Sequence, residues 1–225
     1  MIENLNSKLD SHKDLTDEEM IHAVNLMMEG EIEQHLIEHF LLGLNKKGIT
    51  VREISSAAKV MREKSLKFDL KDSNIIDTCG TGGTGLHIFN CSTASAIVAT
   101  AAGAKVSKHG NRGISSKSGS ADFLVEAGAN INHEREQLAE IFNKVGFVFL
   151  FAPLHHLSMK HVMPARQKLA TKTIFNLLGP HTNPSNAKKQ IIGVYEKSLV
   201  EKFVNVSNSL CLLYTSPSPR DPTKS

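Results

Sequence analysis

The sequence lacks several features that define whole classes of protein. It contains no Trp, aromatic residues make up only 5%, and its three cysteines are Cys79, Cys91 and Cys211 among 225 residues. So few cysteines at irregular spacing exclude a disulfide scaffold and a cysteine-based zinc site. No apolar run reaches the roughly 18 residues that a membrane helix needs, and the polar residues 1–15 do not resemble a signal peptide. We therefore expect a globular, cytoplasmic protein without a membrane partner.

Carboxylates are missing from two long stretches of the chain. The formal net charge is only +3, and residues 1–40 contain ten acidic residues against two lysines. Residues 78–121 and 151–190 contain no carboxylate but several lysines and arginines. These basic segments indicate either a site for an anionic partner or an uneven solvated surface. Charge alone does not distinguish an anion-binding site from a solvated surface, whereas the sequence motifs described below do.

The apolar pattern predicts an α/β fold with a small N-terminal helical domain over 1–70. Thr16 with Glu19 and Thr50 with Glu53 fit capping boxes, and Gly30 fits a helix stop. From residue 71, short apolar runs alternate with helical segments, which is typical of a mostly parallel sheet. We expect this larger α/β domain to span 71–210 and to be incomplete at its C-terminus. The predicted strands are 74–77, 104–106, 147–151 and 190–195, and the predicted helices are 92–102, 118–127, 134–144, 156–169 and 198–209.

The last segment, 211–225, does not continue this pattern. It contains three prolines, Pro217, Pro219 and Pro222, where a strand is due. Proline has no amide donor and is excluded from central strands. We interpret 211–225 as a non-native or disordered tail, and the chain as a truncated reading frame.

The glycine-rich segment 80–85 follows a predicted strand and precedes a helix. Glycine lets a ligand approach the backbone, and the free amides of a helix N-terminus attract negative charge. The segment fits neither the Walker pattern nor the dinucleotide fingerprint. Asn90 to Thr93 adds an amide and two hydroxyls at the start of the next helix.

A second group of anion-binding residues is expected after the second strand. Lys108 to Arg112 is followed by a serine-rich segment, 115–120. Cations and hydroxyls among glycines suit phosphate. Two adjacent groups of this kind suit a ligand with two separated phosphoryl groups. A nucleic-acid surface would need exposed aromatics between the basic residues, so we do not expect a nucleic-acid partner.

At these motifs the sequence resembles the anthranilate phosphoribosyltransferase family of tryptophan biosynthesis. The matching segments are 77–83, 90–93, 108–122, 149–156 and 173–184, and the resemblance runs from about Leu15 to Leu210. It implies transfer of a phosphoribosyl group from phosphoribosyl pyrophosphate (PRPP) to the amine of anthranilate, with Mg²⁺. From the apolar faces of the N-terminal helices we also expect a homodimer formed through these helices.

The resemblance also assigns site residues. It implies a PRPP site made of Gly80, Gly83, Thr84, Ile88, Asn90, Cys91, Ser92, Thr93, Lys108, His109, Gly110, Asn111, Arg112, Gly113, Ile114, Ser115, Ser116 and Ser120. It places anthranilate at Gly80, Asn111, His156 and Arg166, and Mg²⁺ at Ser92. No catalytic nucleophile is expected, and Lys108 and His156 would act by positioning. For His156 and Arg166, a structural histidine and a solvated basic face are the alternatives. Cys79 and Cys91 are expected to be small buried residues.

Two departures from the family pattern affect the expected activity. Thr84 stands where many members have aspartate, and Ile88 stands where they have a hydroxyl residue. The family's Asp-Glu pair for a second Mg²⁺ lies beyond the end of this sequence. We therefore expect the 225-residue chain to be poorly active or inactive, which a turnover assay against an intact enzyme would test.

Two other functions fit parts of the sequence. A pyrimidine-nucleoside phosphorylase would share the helical and α/β domains and the glycine loop, and a phosphorolysis assay would identify it. A non-catalytic, nucleic-acid-binding relative would use the basic segments, and its DNA binding would depend steeply on salt.

Overall fold

The computed structural model describes residues 2–72, 74–82, 89–113 and 118–214. Its N-terminal part is a bundle of helices, and its remainder alternates strands with helices. The bundle consists of α1 (Ile2–Asp10), α2 (Asp17–Glu29), α3 (Gln34–Lys47) and α4 (Val51–Lys64).

Local sequence explains where the bundle helices begin and end. Thr16 and Thr50 each accept a hydrogen bond from the amide three residues on, and the glutamate there binds back to the cap amide. The two predicted capping boxes are therefore confirmed. Gly30 ends α2 at φ +80°, a left-handed conformation that glycine adopts without strain.

The second part of the chain forms the α/β domain. Its regular elements are β1 (Ile76–Gly80), α5 (Cys91–Ala101), β2 (Val106–Gly110), α6 (Ser120–Glu126), α7 (Arg135–Val145), β3 (Phe147–Phe151), α8 (Ala152–His155), α9 (Met163–Leu169), α10 (Ile174–Leu178), β4 (Lys189–Gly193), α11 (Val200–Ser209) and β5 (Leu213–Tyr214). Short 3₁₀ helices cover Leu157–His161, Gly179–His181 and Lys197–Leu199.

The sheet is parallel and its strand order is β3-β2-β1-β4-β5. The chain runs from β1 outward to β3 on one side and then continues with β4 and β5 on the other. The order therefore reverses between β1 and β4, and open α/β sheets bind ligands beyond the carboxyl ends of the strands at such a point. The predicted fold class, a helical domain with a parallel-sheet domain, is confirmed.

The largest hydrophobic core is shared between the bundle and the α/β domain. Met20, Phe40 and Ile54 from the bundle belong to the same buried cluster as Phe175 of α10 and Phe203 of α11. Separate, smaller clusters lie against the sheet, around Phe142 with Leu150 and around Leu124 with Phe149. Burial of this shared core joins the two parts of the chain.

Two predicted strands were placed wrongly. The first extends to Gly80 rather than ending at Asp77, and the second covers Val106–Gly110 rather than 104–106. Polar residues such as Lys108 and His109 occupy buried strand positions, so hydrophobicity alone does not show the strand. These two residues lie within β2 and not, as predicted, in the loop after it.

The predicted helix 156–169 is divided. Its first part is the 3₁₀ helix Leu157–His161, and α9 begins at Met163 with Pro164 in its first turn. Proline has no amide to continue the preceding helix, which explains the break.

The sheet also reaches beyond residue 210. Leu212 is buried, and Leu213 and Tyr214 pair with Lys189 and Gln190 of β4. The described fold therefore includes the first residues of the segment interpreted as a tail, while 215–225 lie outside the described residues.

Candidate functional site

The site is built at the carboxyl ends of β1 and β2. Gly80 ends β1, Gly110 ends β2, and the N-terminus of α5 stands beside them with Asn90 as its cap. A methyl group on Gly110 would lie 2.8 Å from the ring of Phe149 and 3.0 Å from Ser120, so this position requires glycine.

Lys108 is a buried cation at this edge of the sheet. Its residue exposure is 1%, and Nζ donates to the carbonyl oxygen of Thr78 and to Oγ of Ser92 at 3.4 Å. Burial lowers the pKa of Lys108, and the charge of Asp77 partly offsets this effect. An ammonium group held among neutral oxygens is suited to an anionic ligand oxygen.

The start of α5 presents hydroxyl groups to the same place. Oδ1 of Asn90 accepts from the amide and the hydroxyl of Thr93, at 3.3 and 2.9 Å. The hydroxyl of Thr78 donates to the carbonyl oxygen of Ser92 at 2.7 Å and ties the helix start to β1. Cys91 is exposed, so the expectation of a buried residue was wrong at this position, whereas Cys79 is buried as expected.

The buried carboxylate of Asp77 stabilises this arrangement by accepting hydrogen bonds from two neighbouring strands. Asp77 has no exposed surface, accepts from the amide of His109 at 3.3 Å and accepts from Nε2 of Gln190 at 3.2 Å. Burial raises the pKa of Asp77, and the nearby Lys108 opposes this. The sequence reasoning gave Asp77 and Gln190 no site role, because their association joins β1 to β4 across 113 residues.

The glycine loop is anchored to β4. The amide of Thr81 donates to the carbonyl oxygen of Gly193 at 2.9 Å, and the amide of Tyr195 donates to Oγ1 of Thr81 at 3.1 Å. Gly82 has φ +64°, so the loop uses a conformation that favours glycine. The predicted site residues Gly83, Thr84 and Ile88 lie outside the described residues.

The second loop is held at both ends by Asp122. Its carboxylate accepts from the amides of Gly113 and Gly119, each at 2.8 Å, and from Nη1 of Arg112 at 3.0 Å. The Gly113 and Gly119 amides, followed by Arg112, lower the pKa of Asp122. Asn111 begins this loop, and its carbonyl oxygen accepts from the amide of Ala121. Ile114, Ser115 and Ser116 lie outside the described residues.

Two buried histidines lie together behind this edge of the sheet. The rings of His109 and His156 are 5.1 Å apart, and Nε2 of His156 donates to the carbonyl oxygen of Thr182 at 3.1 Å. Nε2 of His109 and Nδ1 of His156 have no hydrogen-bond partner among the described residues. Burial lowers the pKa of His156 to about 4. Burial is also the main reason why the pKa of His109 lies well below its usual value, and the neighbouring His156 lowers it further. Both rings are therefore neutral near pH 7.

Arg166 stands on α9, on a different element from the histidines. Its guanidinium lies 5.5 Å from the ring centre of Phe175, and Nη1 is 3.7 Å from Sδ of Met163. Burial lowers the pKa of Arg166, and no carboxylate within the described ranges forms an ion pair with it. A half-buried guanidinium without an acidic partner can bind a ligand carboxylate.

The predicted residues thus form two groups. Gly80, Asn90, Ser92, Thr93 and Lys108 come together at the ends of β1 and β2, and His109 and His156 form a pair. The described contacts of Arg166 are with Met163 and Phe175 rather than with either group.

Within the described ranges, no cluster of three or more His, Cys, Asp or Glu side chains could hold a metal ion, and no helix is long and apolar enough to cross a membrane. The oxygen donors near Lys108 are instead the hydroxyl of Ser92 and the amide oxygen of Asn90, 3.4 Å apart. Such neutral oxygens suit a hard cation whose remaining ligands come from a phosphorylated substrate and water.

Comparison with known families defines the class of this protein. Residues 3–65 match the helical bundle domain of a glycosyl transferase family, and residues 72–212 match its a/b domain. The chain belongs to this glycosyl transferase family.

Individual relatives point to one branch of the family. The chain is 48% identical over 211 residues to anthranilate phosphoribosyltransferase of Persephonella marina, covering 93% of this chain and 62% of the relative. The relative from Hydrogenovibrio crunogenus is also 48% identical, with 92% and 61% covered. The resemblance to this enzyme family is therefore confirmed, and the chain spans about 60% of the length of these relatives.

Solved structures agree with this assignment. Anthranilate phosphoribosyltransferase from Thermus thermophilus superposes with a TM-score of 0.85 at 36% identity, covering 91% of this chain and 62% of that one. The enzyme from Saccharomyces cerevisiae, in complex with PRPP and Mg, gives 0.86 at 29% identity, covering 93% and 62%.

Proposed function

We propose that this chain is part of an enzyme that transfers the phosphoribosyl group of PRPP to the amine of anthranilate. The observation that carries the proposal is the buried ammonium of Lys108 beside the Ser92 hydroxyl, at the carboxyl edge of the sheet. The relatives and the neighbouring yeast complex support the choice of substrates.

The PRPP half of the site would use the residues at the ends of β1 and β2. Lys108 and Ser92 would bind phosphoryl oxygens. Asn90 and Thr93 would hold the helix start of this PRPP site in place, because the amide and hydroxyl of Thr93 both donate to Oδ1 of Asn90. The loop residues proposed alongside them are Gly80, Gly83, Thr84, Ile88, Cys91, His109, Gly110, Asn111, Arg112, Gly113, Ile114, Ser115, Ser116 and Ser120.

Mg²⁺ would be held by the hydroxyl of Ser92 together with oxygens of the substrate. When bound, the cation would neutralise charge on the departing pyrophosphate. Lys108 would bind the same oxygens, and its burial strengthens that attraction because little water competes.

The anthranilate half would use Gly80, Asn111, His156 and Arg166. Arg166 would pair with the carboxylate of anthranilate, since it has a guanidinium without an acidic partner within the described ranges. The neutral His156 has an unpartnered Nδ1 that can accept a hydrogen bond from an amine.

The reaction needs positioning rather than a protein nucleophile. The bond from the anthranilate nitrogen to C1 of the ribose forms, the bond from C1 to the pyrophosphate oxygen breaks, and one amine proton is released. The nitrogen supplies the electron pair, and pyrophosphate leaves with the pair of the broken bond. Lys108 and Arg166 would hold the two reactants for this displacement.

The proposal includes the quaternary state and the location. We propose a homodimer formed through the N-terminal helices, in which Leu42 of α3, exposed to 45% beside a cleft of about 480 Å³, would be covered. We also propose a cytoplasmic location, since Cys79, Cys91 and Cys211 are free. Light scattering that gives the monomer mass would exclude the dimer.

A calorimetric titration of the 225-residue chain with PRPP in the presence of Mg²⁺ tests the proposed site. We expect saturable binding that is reduced in Ser92→Ala, because this variant lacks the hydroxyl near Lys108. Ser95→Ala is the matched control, since Ser95 is an exposed serine on the same helix. Absence of PRPP binding to the unmodified chain, or an equal loss in both variants, would contradict the proposal.

A further inference from the structure

The break between the 3₁₀ helix Leu157–His161 and α9 leaves backbone groups without partners inside their own segment. α9 begins at Met163, and its cap residue Val162 provides no side-chain hydrogen bond. The amide of Ala165 lies in the first turn of α9, where helix amides have no intrahelical acceptor. The carbonyl oxygen of His161 faces the same break.

Gln34, the first residue of α3 in the bundle, binds both of these groups. Its Nε2 donates to the carbonyl oxygen of His161 at 2.9 Å, and its Oε1 accepts from the amide of Ala165 at 3.0 Å. One side-chain amide therefore caps the end of one helix and the start of the next from a different domain.

The surroundings of Gln34 keep this region closely packed. A methyl group on Gly30 would lie 2.6 Å from Nδ1 of His161, so the ring of His161 packs directly on the backbone between α2 and α3. One turn beyond Gln34, Glu38 pairs with Lys168 of α9 at 2.9 Å. Gln34 differs from Glu38 because it binds the backbone of α9 and not the end of a flexible side chain.

We infer that Gln34 is a positioning residue for the anthranilate side of the site, acting through Arg166. α9 has only seven residues. Arg166 immediately follows Ala165, whose amide donates a hydrogen bond to Gln34. Two directional hydrogen bonds at the helix start set the rotation and tilt of so short a helix. They therefore set the direction of the Arg166 side chain toward Phe175. This inference rests on the proposed function.

The test replaces the amide with an apolar side chain of similar length, Gln34→Met. Gln34 is exposed, so the replacement creates no buried cavity and we expect little change in thermal stability. Loss of two hydrogen bonds predicts a weaker affinity for anthranilate by about two- to tenfold, with unchanged affinity for PRPP. Glu38→Gln is the matched control on the same helix face, because it removes an ion pair whose Lys168 partner is exposed while leaving the backbone hydrogen bonds of α9 intact.

Two measurements are made on each variant of the 225-residue chain. Hydrogen–deuterium exchange of the amides in 162–169 reports on α9 without any ligand, and fluorescence titration with anthranilate and calorimetry with PRPP report on the site. We expect faster exchange and a selective loss of anthranilate affinity in Gln34→Met, and neither in Glu38→Gln.

The outcomes separate this inference from the proposed function. Unchanged exchange in 162–169 would overturn the inference whatever the ligands do, and an equal loss of both affinities would reduce Gln34 to a structural residue. If the unmodified chain bound neither ligand, the proposed function would fail, and the exchange data alone would show whether Gln34 holds α9.

Discussion

Lys108 shows at the scale of one residue how the strand and the site depend on each other. Its ammonium is buried beside Ser92 and interacts electrostatically with the buried carboxylate of Asp77, without a direct ion pair within 4 Å among the described residues. A cation in such a place keeps unused capacity for an anionic ligand, and its desolvation is a cost that ligand binding offsets.

Replacing Lys108 with methionine tests this directly. We expect the affinity for PRPP to fall by about ten- to a hundredfold, because a hydrogen bond from a charged donor is lost. The midpoint of thermal unfolding should fall as well, because the buried carboxylate of Asp77 loses the nearby positive charge that opposes its desolvation. Calorimetric titration and a thermal melt measure the two effects, and full PRPP affinity in Lys108→Met would contradict the site.

Buried histidines make stability depend on pH. The ring of His181 packs 5.0 Å from that of Phe203, and burial, followed by the charge of Arg62, lowers its pKa to about 4. Burial also lowers the pKa of His156 to about 4. An unfolded histidine takes up a proton near pH 6.5. Between pH 6.5 and 4 the unfolded chain therefore binds more protons than the folded chain, and acidification favours unfolding.

We expect these histidines to make the free energy of unfolding decrease from pH 6.5 toward pH 4. Each such histidine contributes a slope of at most about 1.4 kcal/mol per pH unit. His181→Gln should make the decrease shallower, because it removes one of these buried rings. Urea unfolding at a series of pH values measures this, and equal slopes in the parent and His181→Gln would contradict it.

At the scale of an element, the loop after β2 depends on one carboxylate and one glycine. Asp122 of α6 binds the amides of Gly113 and Gly119 and so joins the two ends of the loop. A methyl group on Gly119 would lie 2.4 Å from the nitrogen of Gly113 and 2.5 Å from the carbonyl oxygen of Asn111. The backbone of residues 111–113 can approach position 119 this closely only because that position has no side chain.

Gly119→Ala should therefore displace the loop. We expect a loss of about 1 to 3 kcal/mol in the free energy of unfolding, as for other overpacked sites, and weaker PRPP binding. Gly179→Ala is the control, because a methyl group there meets no atom within 4 Å in the described structure. Chemical denaturation with calorimetry measures both effects, and similar values for the two variants would show that the loop is not sterically limited.

At the scale of the whole molecule, the bundle and the α/β domain share their main core. Phe203 and Val206 of α11 are buried in the same cluster as the bundle helices. Arg62 of α4 donates from Nε to the carbonyl oxygen of His181 at 2.6 Å, and Ser55 is hydrogen bonded to Ser209 at 2.6 Å. Neither part can unfold without exposing the other's apolar surface.

We consequently expect the chain to unfold in one cooperative transition. Differential scanning calorimetry should give a single peak, with calorimetric and van't Hoff enthalpies that agree. Arg62→Met should lower the midpoint of that peak without splitting it. Two separate transitions in the unmodified chain would show that the domains fold independently.

Local signals in the sequence determined the parts of this protein that depend on neighbouring residues. The capping boxes at Thr16 and Thr50, the stop at Gly30 and the alternation of helices with strands are all short-range patterns, and the structure confirms them. The glycine-rich and basic motifs also indicated an anion site from their order alone.

Only the tertiary structure decided which distant residues meet. It buried Lys108, and it brought together residues separated by up to 131 positions along the chain. These contacts are the pairing of His109 with His156, the hydrogen bond between Asp77 and Gln190, and the cap that Gln34 provides for α9. The predicted limits of β1 and β2 differ from the structure for the same reason. Pairing across the sheet places polar residues in buried strand positions, which a hydrophobicity pattern does not show. A linear pattern records the preferences of each segment, whereas these contacts depend on how the segments pack against one another.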